Sequence, residues 1–284
     1  MKSIKPLVIA AALAVGTIFP ACVKKDIHDS SDAGKGTVEF SVSWGTAGTG
    51  VTTPSAYTLL FNNATKELTD SKYVYPEPLE PKLYTAIFYT AADKITTTNG
   101  IATLATEGGY VAPDPGWFFG GSRRVMVVSK EKAEAEVQLN QHVGELRVSV
   151  SIDGAFDRIT SAYFEVDNVA GKLDLSDMSY STPSKVMGQL QKNADNNKLE
   201  GSVRLLGIIP SATKTISLLV SVTGESMPIE FSADVSSQIN DFNSKKVEGK
   251  TITNALTIPY EVGGTATIGT WLEKNEGTII IGEE

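Results

Sequence analysis

"TVEFSVSW", Thr37 to Trp44, alternates strictly. Val38, Phe40, Val42 and Trp44 fall on one face, and Glu39, Ser41 and Ser43 on the other. A period of two belongs to a strand with one side in a core and the other in water. The pattern returns in "ELRVSVSI", Glu145 to Ile152, where Leu146, Val148, Val150 and Ile152 share a face.

Further runs have the same character. "AYTLLFNNAT" places Tyr57 to Phe61 before a turn at Asn62-Asn63, and "KLYTAIFYT" is aromatic and β-branched. "GIATLAT", "RRVMVVS" and "AEAEVQLNQ" precede Gln141; "SAYFEVDNVAGKLDL", "EGSVRLLGII", "KTISLLVSVTG", "MPIEFSADV", "TITNALTIPYEV" and "GTATIGTWLE" follow it. One short helix is expected at Asp234 to Asn243, with Asp234 as its cap and Val235, Ile239 and Phe242 facing inward. Strands every ten to fifteen residues, separated by Gly, Asn, Asp and Pro, predict an all-β chain of β-sandwiches. About fifteen strands exceed one small sandwich. The break at Val143-Gly144 therefore divides the chain into an N-terminal sandwich, 37–142, and a C-terminal one, 143–284, with no long linker between them.

Ahead of the first strand the chain changes character. Lys2 and Lys5 precede an apolar run of 13 residues, Leu7 to Phe19, too short to span a bilayer and of signal-peptide length. Residues 1–21 read as a signal peptide. The only cysteine, Cys22, follows at once in "FPAC". This resembles the lipobox of bacterial lipoproteins, with Ala21 in place and with Phe19 and Pro20 departing from the usual residues. The resemblance implies a diacylglyceryl group on Cys22, which acyl burial would hold in a membrane. The polar stretch to Gly36 reads as a flexible tether, 22–36. Its "VKKD" start also resembles the export signal of surface lipoproteins in Bacteroides-type bacteria; a plain solvated linker explains it equally.

The formal charge is −8, and loss of Lys2 and Lys5 with residues 1–21 takes it to −10. Such an acidic chain is unsuited to nucleic acid. One cysteine gives no internal disulfide, and two distant histidines, His28 and His142, give no metal cluster. No G-x-S-x-G, H-E-x-x-H or P-loop pattern occurs. No catalytic residue, metal site or cofactor beyond the lipid is expected, and the chain is not read as an enzyme. Glu77 and Glu80 lie among prolines and suit an edge loop. The aromatic cluster Trp117, Phe118 and Phe119 in "PDPGWFFGGSRR" has two readings: a sugar-stacking platform, or a loop folded back to plug the end of a sandwich.

"PDPGWFFGGSRRVMVV", "VQLNQHVGELRVSVSI", "SVRLLGII", "FSADVSSQINDFN" and "TATIGTWLE" stand in the order seen in the fimbrillin superfamily. From about Thr37 to the C-terminus the chain resembles the FimB-type fimbrial anchor subunits of Bacteroidia fimbriae. The resemblance implies two transthyretin-like β-sandwich domains in tandem and polymerisation by donor-strand exchange, in which one subunit's strand completes another's sheet. Its implied partners are fimbrial shaft subunits and, through the lipid, the outer membrane, on the cell surface. Shaft subunits of the family lose their lipidated end to a protease cutting after Arg or Lys. Here the first Arg is Arg123, and only Lys24, Lys25 and Lys35 are basic between Cys22 and the first strand. The lipid is therefore expected to stay, with a Lys-specific cut at Lys35 still open. "TIIIG" near the end is short for a donated strand. The expected function is a lipid-anchored subunit that tethers or terminates a fimbrium; a glycan- or host-binding surface lipoprotein, or a tip adhesin, is the alternative.

Overall fold

The computed structural model describes residues 34–261 and 264–273. In β1 (Thr37–Trp44), Val38 and Phe40 are fully buried and Val42 nearly so, as the alternation requires. β2 (Tyr57–Phe61) turns into β3 (Ala64–Leu68) through Asn62 and Asn63, both at positive φ, 50° and 63°. Asparagine tolerates this region, and two such residues in succession make the tight turn that suits twisted strands. β4 (Lys72–Val74) and β5 (Leu83–Tyr89) follow. Next come four short strands: β6 (Ile95–Thr98), β7 (Ile101–Leu104), β8 (Thr106–Glu107) and β9 (Tyr110–Val111). β10 (Phe119–Met126) and β11 (Lys132–Gln141) end this half.

The first sheet runs β3-β2-β5-β10-β11-β1-β4 and folds over on itself. β11 makes the fold. Its residues Lys132 to Leu139 lie parallel to β1, while only Asn140 and Gln141 pair with β10, opposite Gly120 and Phe119. One strand thus serves both layers. The layers part at Gly121, where a Cβ would lie 2.3 Å from the carbonyl oxygen of Gln138. Between them pack Phe40, Phe61 and Phe88; Phe40 meets the other two rings edge-on at 5.1 and 5.3 Å.

The second sheet repeats the device. Its members are β12 (Gly144–Gly154), β13 (Ile159–Asp174), β14 (Ser179–Asn193), β15 (Lys198–Leu205), β16 (Thr215–Val222), β17 (Ile229–Asp234) and β18 (Lys250–Ile258), with β19 (Thr267–Ile268) and β20 (Leu272–Glu273) beside β18. β14 pairs with β13 over most of its length, then Gln191 to Asn193 pass to β15. Glycines stand at this corner too: a Cβ on Gly201 would lie 2.3 Å from the Gln189 carbonyl oxygen, and one on Gly188 would lie 2.4 Å from the Phe164 ring. As in the first sandwich, the opening strand lies parallel to a late one, here β12 to β18. Leu146, Val148, Val150 and Ile152 all point into the core.

Two details depart from expectation. β7 pairs with β13 and β9 with β14, so a stretch between β5 and β10 adds to the second sheet. The expected helix shrinks to one turn, α1 (Ser236–Ile239), followed by a 3₁₀ turn at Phe242–Ser244. Asp234 Oδ1 accepts from Ser236 N at 2.8 Å, which turns the chain without serving as the helix cap. Val235, Ile239 and Phe242 are nevertheless fully buried. Because backbone, not a movable side chain, blocks the site, Gly121→Ala is expected to cost about 1–3 kcal/mol of stability; urea unfolding that shifts by less than about 0.5 kcal/mol would contradict the two-layer role given to this glycine.

Candidate functional site

Trp117, Phe118 and Phe119 lie where the two sandwiches meet. Phe119 begins β10, and its ring belongs to the first core, edge-on to Trp44 at 5.6 Å. Phe118 points the other way, into the second core. Trp117 is half-buried and packs against both, with the Arg204 guanidinium 5.2 Å above its ring. Phe118 and Phe119 have no exposed surface, so a stacking platform on this stretch has only Trp117 to offer. Backbone bonds fix the joint: Thr90 N donates to Phe119 O and His142 N to Phe118 O. Gln141 is buried here as well. Its Nε2 donates to Val143 O and Lys246 O, both at 2.8 Å, and its Oε1 accepts from Gly48 N.

The joint holds two unusual ionisable groups. The His142 ring lies 3.1 Å from Gly120 O, and its pKa is pushed down to about 4, chiefly by burial. The Gly120 bond opposes that shift and nearby Lys246 adds to it. Lys246 is itself buried, and burial pushes its pKa well below the ordinary value. Its Nζ donates to Leu206 O at 2.8 Å and sits 4.2 Å from the Phe242 ring centre. His142 faces a carbonyl; Lys246 faces a carbonyl and rings and also borders the cleft beside Trp117. Among the described residues no three His, Cys, Asp or Glu side chains converge as metal ligands.

The sheet edges are the other candidate surfaces. β4 and β3 are short, and β3 is exposed and carries Lys66 and Glu67. Among the described residues β17 pairs only with β16. The outer side of β18 is closed by two short pieces. β19 pairs with Leu256 and Thr257, and β20 with Ile252 and Thr253; between them Gly269 N donates to Ala255 O. Buried Trp271 and a bond from Gln238 Nε2 to Trp271 O pin this closing segment. Asn254, on the core-facing side of the same strand, has a buried Nδ2 with no hydrogen-bond partner among the described residues. Main-chain groups along such edges are what an added strand would bind.

Cys22, His28 and "TIIIG" lie outside the described residues. Glu80 is a surface residue 3.6 Å from Lys35, and Glu77 is exposed. Sequence reasoning marked the aromatic cluster but missed the partners that define the joint, Gln141 and Lys246. Both stand in polar stretches, Asn140-Gln141-His142 and Ser244-Lys245-Lys246, which carry no local signal of their burial.

The sequence matches no protein-family profile and no curated protein. Solved structures do share the fold. A candidate adhesin from Bacteroides ovatus aligns with a TM-score of 0.59 at 9% identity, over 86% of this chain and 96% of that one. The fimbrial anchor protein Mfa2 from Porphyromonas gingivalis aligns at 0.58 with 12% identity, over 84% and 97%. A candidate polysaccharide-binding protein from Bacteroides thetaiotaomicron gives 0.54 at 7% identity, over 85% and 99%. The chain shares the fold of these structures, all-β with two β-sandwiches, as its sequence predicts.

His142 makes the joint sensitive to acid. Above pH ~6.5 the ring is neutral both folded and unfolded. As the pH falls from there to about 4, only the unfolded chain takes up the proton, so stability present above pH 6.5 is lost across that window. The loss from this group is about 3 kcal/mol. His142→Gln is expected to flatten the dependence of urea midpoint on pH between 6.5 and 4.5; a slope equal to that of the unmodified chain would refute the assignment.

Proposed function

We propose that the chain is a lipid-anchored fimbrial subunit that tethers or terminates a fimbrium at the outer membrane, meeting its neighbours by strand addition. The supporting observation is the extent of its likeness to the fimbrial anchor Mfa2, which reaches across both sandwiches and nearly the whole of that chain. In this reading Cys22 carries the acyl chains, shaft subunits are the partners, and no reaction is catalysed.

The start of the fold supports retention of the lipid. No Arg precedes Arg123, which lies inside β10. Lys35 is exposed, but its carbonyl accepts from Lys130 N at 3.2 Å. Gly36 exchanges two bonds with Leu79, at 2.9 and 2.8 Å, and Thr37 N donates to Glu131 O. A protease needs several residues extended and free on both sides of the bond it cuts. Here the Lys35–Gly36 bond is already part of the fold.

A second reading, a glycan- or host-binding surface lipoprotein or tip adhesin, draws on Trp117. Its cleft is also lined by Thr49, Glu145, Arg147 and Glu248, an arrangement of ring and polar groups suited to a sugar. Trp117→Ala, checked first for an intact thermal transition, should abolish glycan binding if this reading is right and leave assembly alone.

For the anchor reading, Cys22→Ala should release fimbriae into the medium or alter their length; fimbriae that stay cell-bound at normal length would end it. With the acylated chain, a Lys-specific endoprotease should cut Lys35–Gly36 only on unfolding. Rapid cleavage of the folded chain at that bond would remove the argument for retention.

A further inference from the structure

Several exposed large apolar side chains of the first sandwich share one face and one end. Leu83 and Met126 are cross-strand partners on β5 and β10, 41% and 57% exposed. Val128, two residues beyond Met126, is 44% exposed, while Val127 between them is buried. Alternation therefore puts all three on the same outer face. Nearer the joint that face is covered: Ile87 is buried, and Gly100, in the β6–β7 turn, approaches its side chain so closely that a Cβ there would lie 2.5 Å from Ile87 Cδ1. The apolar strip is bare only at the end remote from Phe119 and Gln141.

That is also the end where the chain enters the fold. The turn after Met126 holds the entering segment, with Lys130 N donating to Lys35 O and Glu131 O accepting from Thr37 N. Exposed Lys35, paired with Glu80 at 3.6 Å, and exposed Lys130 stand at this end, whereas the Lys82 ammonium lies over the Tyr84 ring on the other side of β5. Cys22 precedes Gly34 by 12 positions. A connection of that length reaches at most ~40 Å even fully extended, so an acyl group on Cys22 keeps this end close to the bilayer that holds it.

We propose that Leu83, Met126 and Val128, with Lys35 and Lys130 at the same end, form a foot that rests on the lipid surface. The apolar side chains enter the boundary between headgroups and acyl chains, and the lysine ammonium groups meet lipid phosphates. The occupant is the bilayer itself, and the inference rests on the lipid-anchor reading. It gives the anchored sandwich a fixed face toward the membrane. Met227, 76% exposed in the turn between β16 and β17, belongs to the end of the second sandwich remote from Gly144, since Val222 pairs with Ile159 there.

The test uses the full acylated chain in vesicles of phosphatidylethanolamine and phosphatidylglycerol. Acylation consumes the only thiol, so Met126→Cys and Met227→Cys each give one site for a fluorophore. Brominated lipid is expected to quench the label at 126 at least about threefold more than the label at 227. Adding Leu83→Gln and Val128→Gln to the Met126→Cys chain should bring its quenching down to that at 227 while the acyl group keeps the protein on the vesicles. Equal quenching at the two positions, quenching unchanged by the two glutamines, or crosslinking of copies through position 126 without quenching overturns the foot alone. A chain whose mass lacks the acyl group removes the lipid-anchor reading and the foot with it.

Discussion

Two neighbouring phenylalanines that point into different cores hold this molecule together. Consecutive side chains of an extended chain must face opposite ways. At Phe118 and Phe119 that constraint becomes a joint, because each side has its own hydrophobic cluster to fill. Three passages of chain tie the halves: the stretch after Tyr89 that leads to β6, the return through Trp117, and the step from Gln141 to Gly144. Polar groups sealed at the joint, Gln141, His142 and Lys246, all bond to main-chain oxygens or amides. Buried polar groups of this kind are costly unless satisfied, so they fix one arrangement of the halves against others.

Much of this was legible in residue order. Alternation in Thr37–Trp44 and Glu145–Ile152 found the two opening strands, because one wet and one dry face leave a period of two in any sequence. Asn62-Asn63 announced its turn through its tolerance of positive φ. What stayed hidden was long-range. "GIATLAT" reads as a short strand of the first half, and nothing local says that Ala102 will be buried opposite Leu173 on β13. The aromatic triplet was visible as a cluster, yet its division between two cores depends on where the sheets end. α1 was overestimated because Val235, Ile239 and Phe242 keep helical spacing although the backbone is helical for only one turn.

The proposed assembly by strand addition would draw on the sheet edges. Most of the sheet perimeter is short, charged or folded into a corner. β17 and the outer side of β18 are different: the first has one neighbour, and the second is closed by two-residue pieces on either side of Gly269. An unpaired strand edge is a liability in a solitary protein and a resource in a polymer. The proposed membrane foot lies on the opposite half, so attachment and strand addition draw on separate surfaces.

The parallel pairing of β1 with β11 and of β12 with β18 bears on how the chain acquires its structure. Thr37 finds Lys132 as its partner, and Leu146 finds Lys250. Neither pairing can form until its late strand has arrived, so these contacts are of high sequence separation and form slowly. A polypeptide delivered amino end first therefore offers its earliest strand only the short β4 on one side until β11, nearly a hundred residues on, covers the other.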